Sequence, residues 1–94
     1  PSADVYVCAI GDAARLPVQL LALRLRRRGY SAVTDLLRRA MKGQMKDADR
    51  LRVRWTATIG DDELANGTLV LKNMITGEQK TIAQTDLEAT LAAA

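Results

Sequence analysis

The sequence predicts an α/β domain built on a mixed five-stranded sheet with three helices, parallel strands first and an antiparallel hairpin after them. Three observations carry this. Residues 5–10 (Val-Tyr-Val-Cys-Ala-Ile) are apolar on both alternating faces, as a strand covered on both sides must be. Two segments with helical spacing then alternate with strand-like segments, an order that pairs strands in parallel through right-handed crossovers. Last, residues 68–74 and 79–83 flank Thr76-Gly77-Glu78, a turn signal between two short strands.

Each element has a local cause. Gly11-Asp12 closes the first strand, and Asp12 offers a helix N-cap. A helix over 13–28 follows. Leu16, Leu20 and Leu23, and beside them Leu21 and Leu25, recur at helical spacing, and Gly29 supplies the stop. Pro17 is deep for a first-turn proline, so either the first turn is irregular or the helix starts after Asp12. Residues 30–35 read as the second strand. Residues 36–51 read as the second helix, with Met41, Met45 and Ala48 on its inner stripe; Gly43 weakens it by about 1 kcal/mol relative to alanine. In the third strand Val53, Trp55, Ala57 and Ile59 alternate with Arg54, Thr56 and Thr58, one face apolar and the other more polar. Residues 60–67 read as an acidic turn or loop bracketed by glycines. Thr85-Asp86-Leu87-Glu88 has capping-box spacing and opens the last helix. Residues 1–94 read as a single domain, with 1–3 as a linker or domain boundary.

Composition excludes several function classes. Arg, Asp and Lys interrupt every apolar stretch, so none is long enough to cross a bilayer, and no membrane partner is expected. The start lacks the basic-then-apolar layout of a secretory signal. A lone cysteine, Cys8, cannot form an internal disulfide, which makes a reducing cytoplasm the default compartment. Histidine is absent. That removes the commonest general base and metal ligand, and any Cys–His or Ser–His nucleophile pair. The sequence carries no phosphate-cradling loop, dinucleotide fingerprint, nucleophile elbow or zinc spacing. No catalytic residue, metal site or cofactor of its own is therefore expected, and a small stand-alone enzyme is the weakest reading.

Charge is unevenly distributed. The segment from Arg15 to Arg54 holds 12 of the 14 basic residues and only Asp35, Asp47 and Asp49 as acids, a local charge of +9 in a chain whose net charge is +3. Such asymmetry suggests a surface facing a polyanion. Arg39, Lys42, Lys46 and Arg50 are spaced three or four apart, so on a helix they form one row able to neutralise phosphates. Arg38 extends the row, and Arg52 and Arg54 follow it. A solvated helix face is the bland alternative. The run Arg24, Arg26, Arg27, Arg28 falls in a last helical turn, where cations offset the dipole. Asp61-Asp62-Glu63 lacks the spacing of a calcium loop; beside a basic surface, a carboxylate there can accept a hydrogen bond from a base amine. Tyr6 and Trp55 lie in strand patterns and read as core, and Cys8 as a small buried hydrophobe.

Two segments carry a family resemblance: Lys42-Gly43-Gln44-Met45-Lys46-Asp47-Ala48-Asp49-Arg50-Leu51, and Ile59-Gly60-Asp61-Asp62-Glu63-Leu64-Ala65-Asn66-Gly67 with Leu69–Met74 and Thr76–Gln79. Together they resemble the anticodon-binding domain of class II aminoacyl-tRNA synthetases, and the histidyl-tRNA synthetase subgroup most. Asp4-Val5-Tyr6-Val7 and the helix from Leu16 to Gly29 fit as well, so the likeness covers nearly the whole chain. The resemblance implies a mixed sheet of about five strands with three helices, gripping the anticodon stem-loop of tRNA(His). It implies that Glu63 meets an anticodon base, that Lys72 is a basic position on the following strand, that Lys42, Gln44, Met45 and Lys46 face the RNA, and that Arg38 and Arg39 meet backbone phosphates. Arg50 joins them through the basic row. The parent enzyme would use ATP and magnesium, supply a catalytic domain that this chain lacks, and act as a homodimer. The alternative is the same fold in a synthetase paralogue or accessory subunit, serving protein contacts without RNA. The chain departs from the family at Arg52, where glycine is common, and at Gly43, where a longer residue is usual.

Overall fold

The computed structural model of the chain describes residues 3–94. Its elements run β1 (Val5–Ala9), a 3-10 turn (Asp12–Ala14), α1 (Arg15–Arg27), β2 (Ala32–Thr34), α2 (Met41–Leu51), β3 (Trp55–Ile59), α3 (Asp61–Asn66), β4 (Thr68–Asn73), β5 (Gln79–Ala83), a second 3-10 turn (Gln84–Asp86) and α4 (Leu87–Ala93). The strands form one sheet in the order β2-β1-β3-β4-β5. β1 pairs in parallel with β2 and β3, whereas β4 runs antiparallel to both β3 and β5. The mixed sheet expected from the sequence is present.

Strand alternation sends side chains to two different cores. On one face Val5, Val7, Ala57, Ile59, Leu69 and Leu71 pack against Val18, Leu21, Ala22 and Leu25 of α1 and Leu87 and Leu91 of α4. On the other, Tyr6 and Cys8 meet Ala48 of α2 and Val53, with Met41 and Leu51 at the margin. β1 is therefore sandwiched between helical layers, and Val5 to Cys8 are all fully buried. That is the physical reason for its unbroken apolar run. Of the expected linker, residues 1 and 2 lie outside the described residues, and Ala3 packs at the edge of the second core.

Several boundaries differ from the sequence expectation. α1 begins at Arg15, not 13, after the 3-10 turn; this puts Pro17 in the first turn, where a missing N–H costs nothing. Its stop is as expected. Gly29 has φ 92°, its N–H donates to the Arg26 carbonyl, and the Tyr30 N–H donates to that of Leu25. Of the two leucine stripes, Leu21 and Leu25 are buried, whereas Leu16, Leu20 and Leu23 are exposed. The second helix starts at Met41 and not at 36, because the Asp35 carboxylate takes the N–H groups of Leu37 and Arg39 and bends 35–40 into a loop. Its inner stripe contains Gln44 and Ala48, with Met41 and Met45 only half-buried. β2 is trimmed to three residues, and β3 begins at Trp55 because Arg52 at φ 55° and Val53 close α2.

Residues 60–67, expected as a loop, contain a fourth helix, α3. Asp61, Asp62 and Glu63 occupy its first turn, where carboxylates favour the dipole, and Glu63 Oε1 accepts the Gly60 N–H at 2.9 Å. Gly67 ends it at φ 68°. The expected capping box at Thr85 does not form. Thr85 lies in the second 3-10 turn, and Glu88 instead accepts from Arg24 Nη2 at 2.8 Å.

Candidate functional site

α2 presents its cations away from the sheet. Gln44 and Ala48 face inward, so Lys42 and Lys46, one turn apart, lie on the opposite, exposed stripe. Among the described residues neither lysine has a carboxylate in ion-pair contact. The basic row expected from the sequence is real at these two positions but changes at its ends. Arg39 precedes the helix, and its guanidinium turns back to Asp35 at 2.8 Å and Asp47 at 3.0 Å. Arg50 is also tied to Asp47. Arg38 stays exposed in the loop with φ 56°.

Asp47 is thus a hub. It accepts from the Tyr6 hydroxyl at 2.8 Å, from Arg39 and from Arg50. The Arg50 bond, then the Tyr6 bond, hold its carboxyl below the usual aspartate range against a partial burial that pushes the other way. At Asp35, partial burial pushes the pKa up, but the hydrogen bonds from Arg39 and the backbone N–H groups outweigh it and leave it lowered. Arg39 is raised, chiefly by Asp35. Burial, and then the bond to Asp47, push the Tyr6 hydroxyl well above its ordinary value.

Gly43 lets Arg39 reach this hub. Residues 39, 43 and 47 follow one another at four-residue intervals, and the Arg39 stem crosses the position where Gly43 has no side chain. This accounts physically for the glycine noted as a departure. Arg52 has a different status: its left-handed φ of 55° is a conformation that glycine adopts without cost.

Gln44, expected to face RNA, does not present its amide at all. It is 2% exposed. β2 pairs with β1 only as far as Val7, leaving Ala9 without a strand partner on that edge. The Gln44 side chain takes that place, its Oε1 accepting the Ala9 N–H at 3.1 Å and its Nε2 donating to the Ala9 carbonyl at 2.8 Å. Nε2 also donates to the Arg39 carbonyl at 2.8 Å.

The remaining expected residues come from three different elements, α2, β4 and α3. Met45 is half-buried on its flank. Lys72 stands opposite Thr56 in β4, alternating with the buried Leu71, so it points to the sheet face that α2 covers. Glu63 is half-exposed at the carboxyl end of β3, with one oxygen used as the α3 cap. The residues that sequence reasoning missed are Asp35, Asp47 and Tyr6. The four-residue spacing of Asp35 and Arg39 and the three-residue spacing of Asp47 and Arg50 were the available signals.

Known proteins share this fold. A family profile described as "Anticodon binding domain" matches residues 4–94. The histidine–tRNA ligase of Halalkalibacterium halodurans is 51% identical over 84 residues, which cover 89% of this chain and 20% of that protein. The corresponding ligase of Acetivibrio thermocellus is 45% identical over 80 residues, 85% of this chain and 19% of that one. The crystal structure of apo S. aureus histidyl-tRNA synthetase superposes with a TM-score of 0.90 at 41% identity, over 96% of this chain and 23% of that one. The RNA binding domain of threonyl-tRNA synthetase from Cryptosporidium parvum Iowa II superposes at 0.87 with 16% identity, over 97% and 23%, a likeness of fold alone. The chain spans about one fifth of the length of the curated relatives it matches.

Proposed function

This chain belongs to the anticodon binding domain family, and we propose that it is the part of a histidine–tRNA ligase that grips the anticodon stem-loop of tRNA(His). The observation that carries the proposal is the pair Lys42 and Lys46, exposed on α2 without a carboxylate partner among the described residues. Lysines so placed can neutralise phosphates and release counterions on binding RNA. Lys72 points to the sheet face that α2 covers, and Glu63 stands in α3 just past the carboxyl end of β3. Bases splayed from a loop would be read there, where the Glu63 carboxylate can accept from a base amine or ring N–H. Met45 adds an apolar flank. Arg38 meets the RNA backbone directly, and Arg39 and Arg50 reach it at the edge of the Asp47 hub.

The remaining four-fifths of such an enzyme would carry the aminoacylation chemistry, with ATP and magnesium as its cofactors, in a cytoplasmic homodimer. The contribution of this domain would be affinity and orientation of the tRNA.

Fluorescence anisotropy with a labelled tRNA(His) anticodon stem-loop across a salt series tests this reading. Removing both lysines (Lys42→Ala with Lys46→Ala) weakens binding to every RNA and flattens the salt slope by about 1.4 to 1.8, the contribution of two neutralised phosphates. Glu63→Gln keeps an oxygen for the α3 cap but removes the charge, and blunts discrimination between anticodons. Unchanged affinity in the double lysine variant would reduce the row to a solvated face and overturn the proposal.

A further inference from the structure

We propose that the crevice outside the carboxyl ends of β1 and β2 binds a sugar phosphate unit, with Arg15 and Arg38 on the phosphate and Asp12 on a sugar hydroxyl. The crevice has a volume of about 260 Å³. Its walls come from both helical layers: Asp12 from the first 3-10 turn, Arg15 and Gln19 from α1, and Arg38 from the loop ahead of α2, over a floor formed by Val7 and Ala9. In open α/β sheets this end of the strands, where helices begin, is where ligands collect.

Charge decides the class of ligand. Asp35 and Arg39 also line the crevice, but they are bonded to each other and contribute little net field. Arg15 and Arg38 have no carboxylate in ion-pair contact among the described residues. Two guanidinium groups offer forked donors that match phosphate oxygens. Asp12, the one further acid in the lining, takes part in no ion pair among the described residues and favours a ligand that also donates. A fully deprotonated oxyanion such as sulfate has nothing to give it, whereas the hydroxyls of a ribose phosphate do. The volume falls below the roughly 300–1,000 Å³ of sites for drug-sized ligands, which suits one sugar phosphate and not a dinucleotide. The loop holds Arg38 in place through Asp35, which accepts the N–H groups on either side of it. Ala40, also in the lining, leaves the start of α2 without a side-chain cap, so no protein carboxylate competes there for an incoming anion.

This goes beyond the proposed function, since Arg15 and Asp12 lie outside the residues assigned to the RNA, whereas Arg38 and Arg39 of the lining are shared with it. The sugar phosphate could belong to an RNA chain or to a free metabolite; the chemistry is the same and the test separates them. The ¹⁵N-labelled domain is titrated with ribose 5-phosphate, ribose and sulfate at constant ionic strength, following backbone amides. Ribose 5-phosphate is expected to shift Gly11 and Met41 saturably, and at least about tenfold more tightly than ribose or sulfate, the difference one lost charged contact makes. Arg15→Gln and Asp12→Ala, which removes the acceptor, each weaken it by about tenfold. Asp12 is exposed in a turn, so its variant keeps the test decisive if Arg15→Gln unfolds. With the anticodon stem-loop present, competition with ribose 5-phosphate and weaker RNA binding by Arg15→Gln identify RNA as the source. No competition identifies a free ligand. Equal responses to sulfate and ribose 5-phosphate, or undiminished binding by Asp12→Ala, overturn the site. The first titration contains no RNA, so its outcome is separate from the anticodon reading.

Discussion

Arg39 and Gly43 are fitted to one another: a methyl group on Gly43 would stand 3.0 Å from Cβ and 3.1 Å from Cδ of Arg39. The arginine cannot easily yield, because Asp35 and Asp47 hold its guanidinium. Gly43→Ala gains about 1 kcal/mol of helix propensity, but the crowding cancels it. The expected result is little or no gain in urea-unfolding stability in the native background, and a gain of about 1 kcal/mol when Arg39→Gly, which removes Cβ as well as Cδ, is also present. A full gain from Gly43→Ala alone would show that the stem moves aside freely.

Arg52 stands at φ 55° at the end of α2, where a Cβ is a liability. Arg52→Gly should raise the unfolding free energy by about 1 kcal/mol, the left-handed penalty less the extra chain freedom of glycine in the unfolded state. Chemical denaturation at neutral pH checks it. A lower midpoint would mean that the arginine stem packs well enough to outweigh its backbone.

Asp47→Asn separates stability from binding. The hub loses its charge, so unfolding becomes easier by about 1 kcal/mol, since the carboxylate pairs with partly exposed arginines. The same change frees Arg50, leaves Arg39 held by Asp35 alone, and removes a negative charge beside Lys46. RNA affinity is expected to rise two- to threefold and its salt slope to steepen by up to about 0.7 per freed cation. Weaker RNA binding at a temperature where the variant is folded would contradict this.

Alkaline pH should destabilise the domain. Burial pushes the Cys8 thiol up to about 12, opposed by a Thr58 hydrogen bond. In the unfolded chain a thiol titrates near about 8.5, so above that pH the unfolded state gives up a proton that the folded state keeps. Stability therefore falls between about pH 8.5 and 12, by at most about 1.4 kcal/mol per unit from this group. Tyr6, raised by burial and by Asp47, adds to the loss above about pH 10. Urea midpoints measured from pH 7 to 10 check the trend, and Cys8→Ala should flatten it.

Much of the fold was legible because its causes are local. The apolar run of β1 announces cover on both faces, and the strand β5 and the hairpin turn follow from alternation and Gly77. Competition between side chain and backbone was not legible. Leu36 and Leu37 look helical, yet Asp35 captures the N–H groups that a helix would use. The glycines around 60–67 suggest a loop, although they mark the two ends of α3. Helical spacing likewise found both leucine stripes of α1 without telling which one meets the sheet. At the candidate site the exposure of Lys42 and Lys46 follows from spacing alone. The withdrawal of Arg39 required knowing that Asp35 and Asp47, twelve positions apart, converge on it.

The Gln44 amide has a mechanical consequence. It stitches α2 to the free edge of β1 through both main-chain groups of Ala9, as a neighbouring strand would. Sliding the helix by one turn, about 5.4 Å, would strip both groups of their partners at once. Lys42 and Lys46 therefore ride on a plate riveted to the sheet. Whatever settles on them meets a surface already set, and little of its affinity is spent on arranging it.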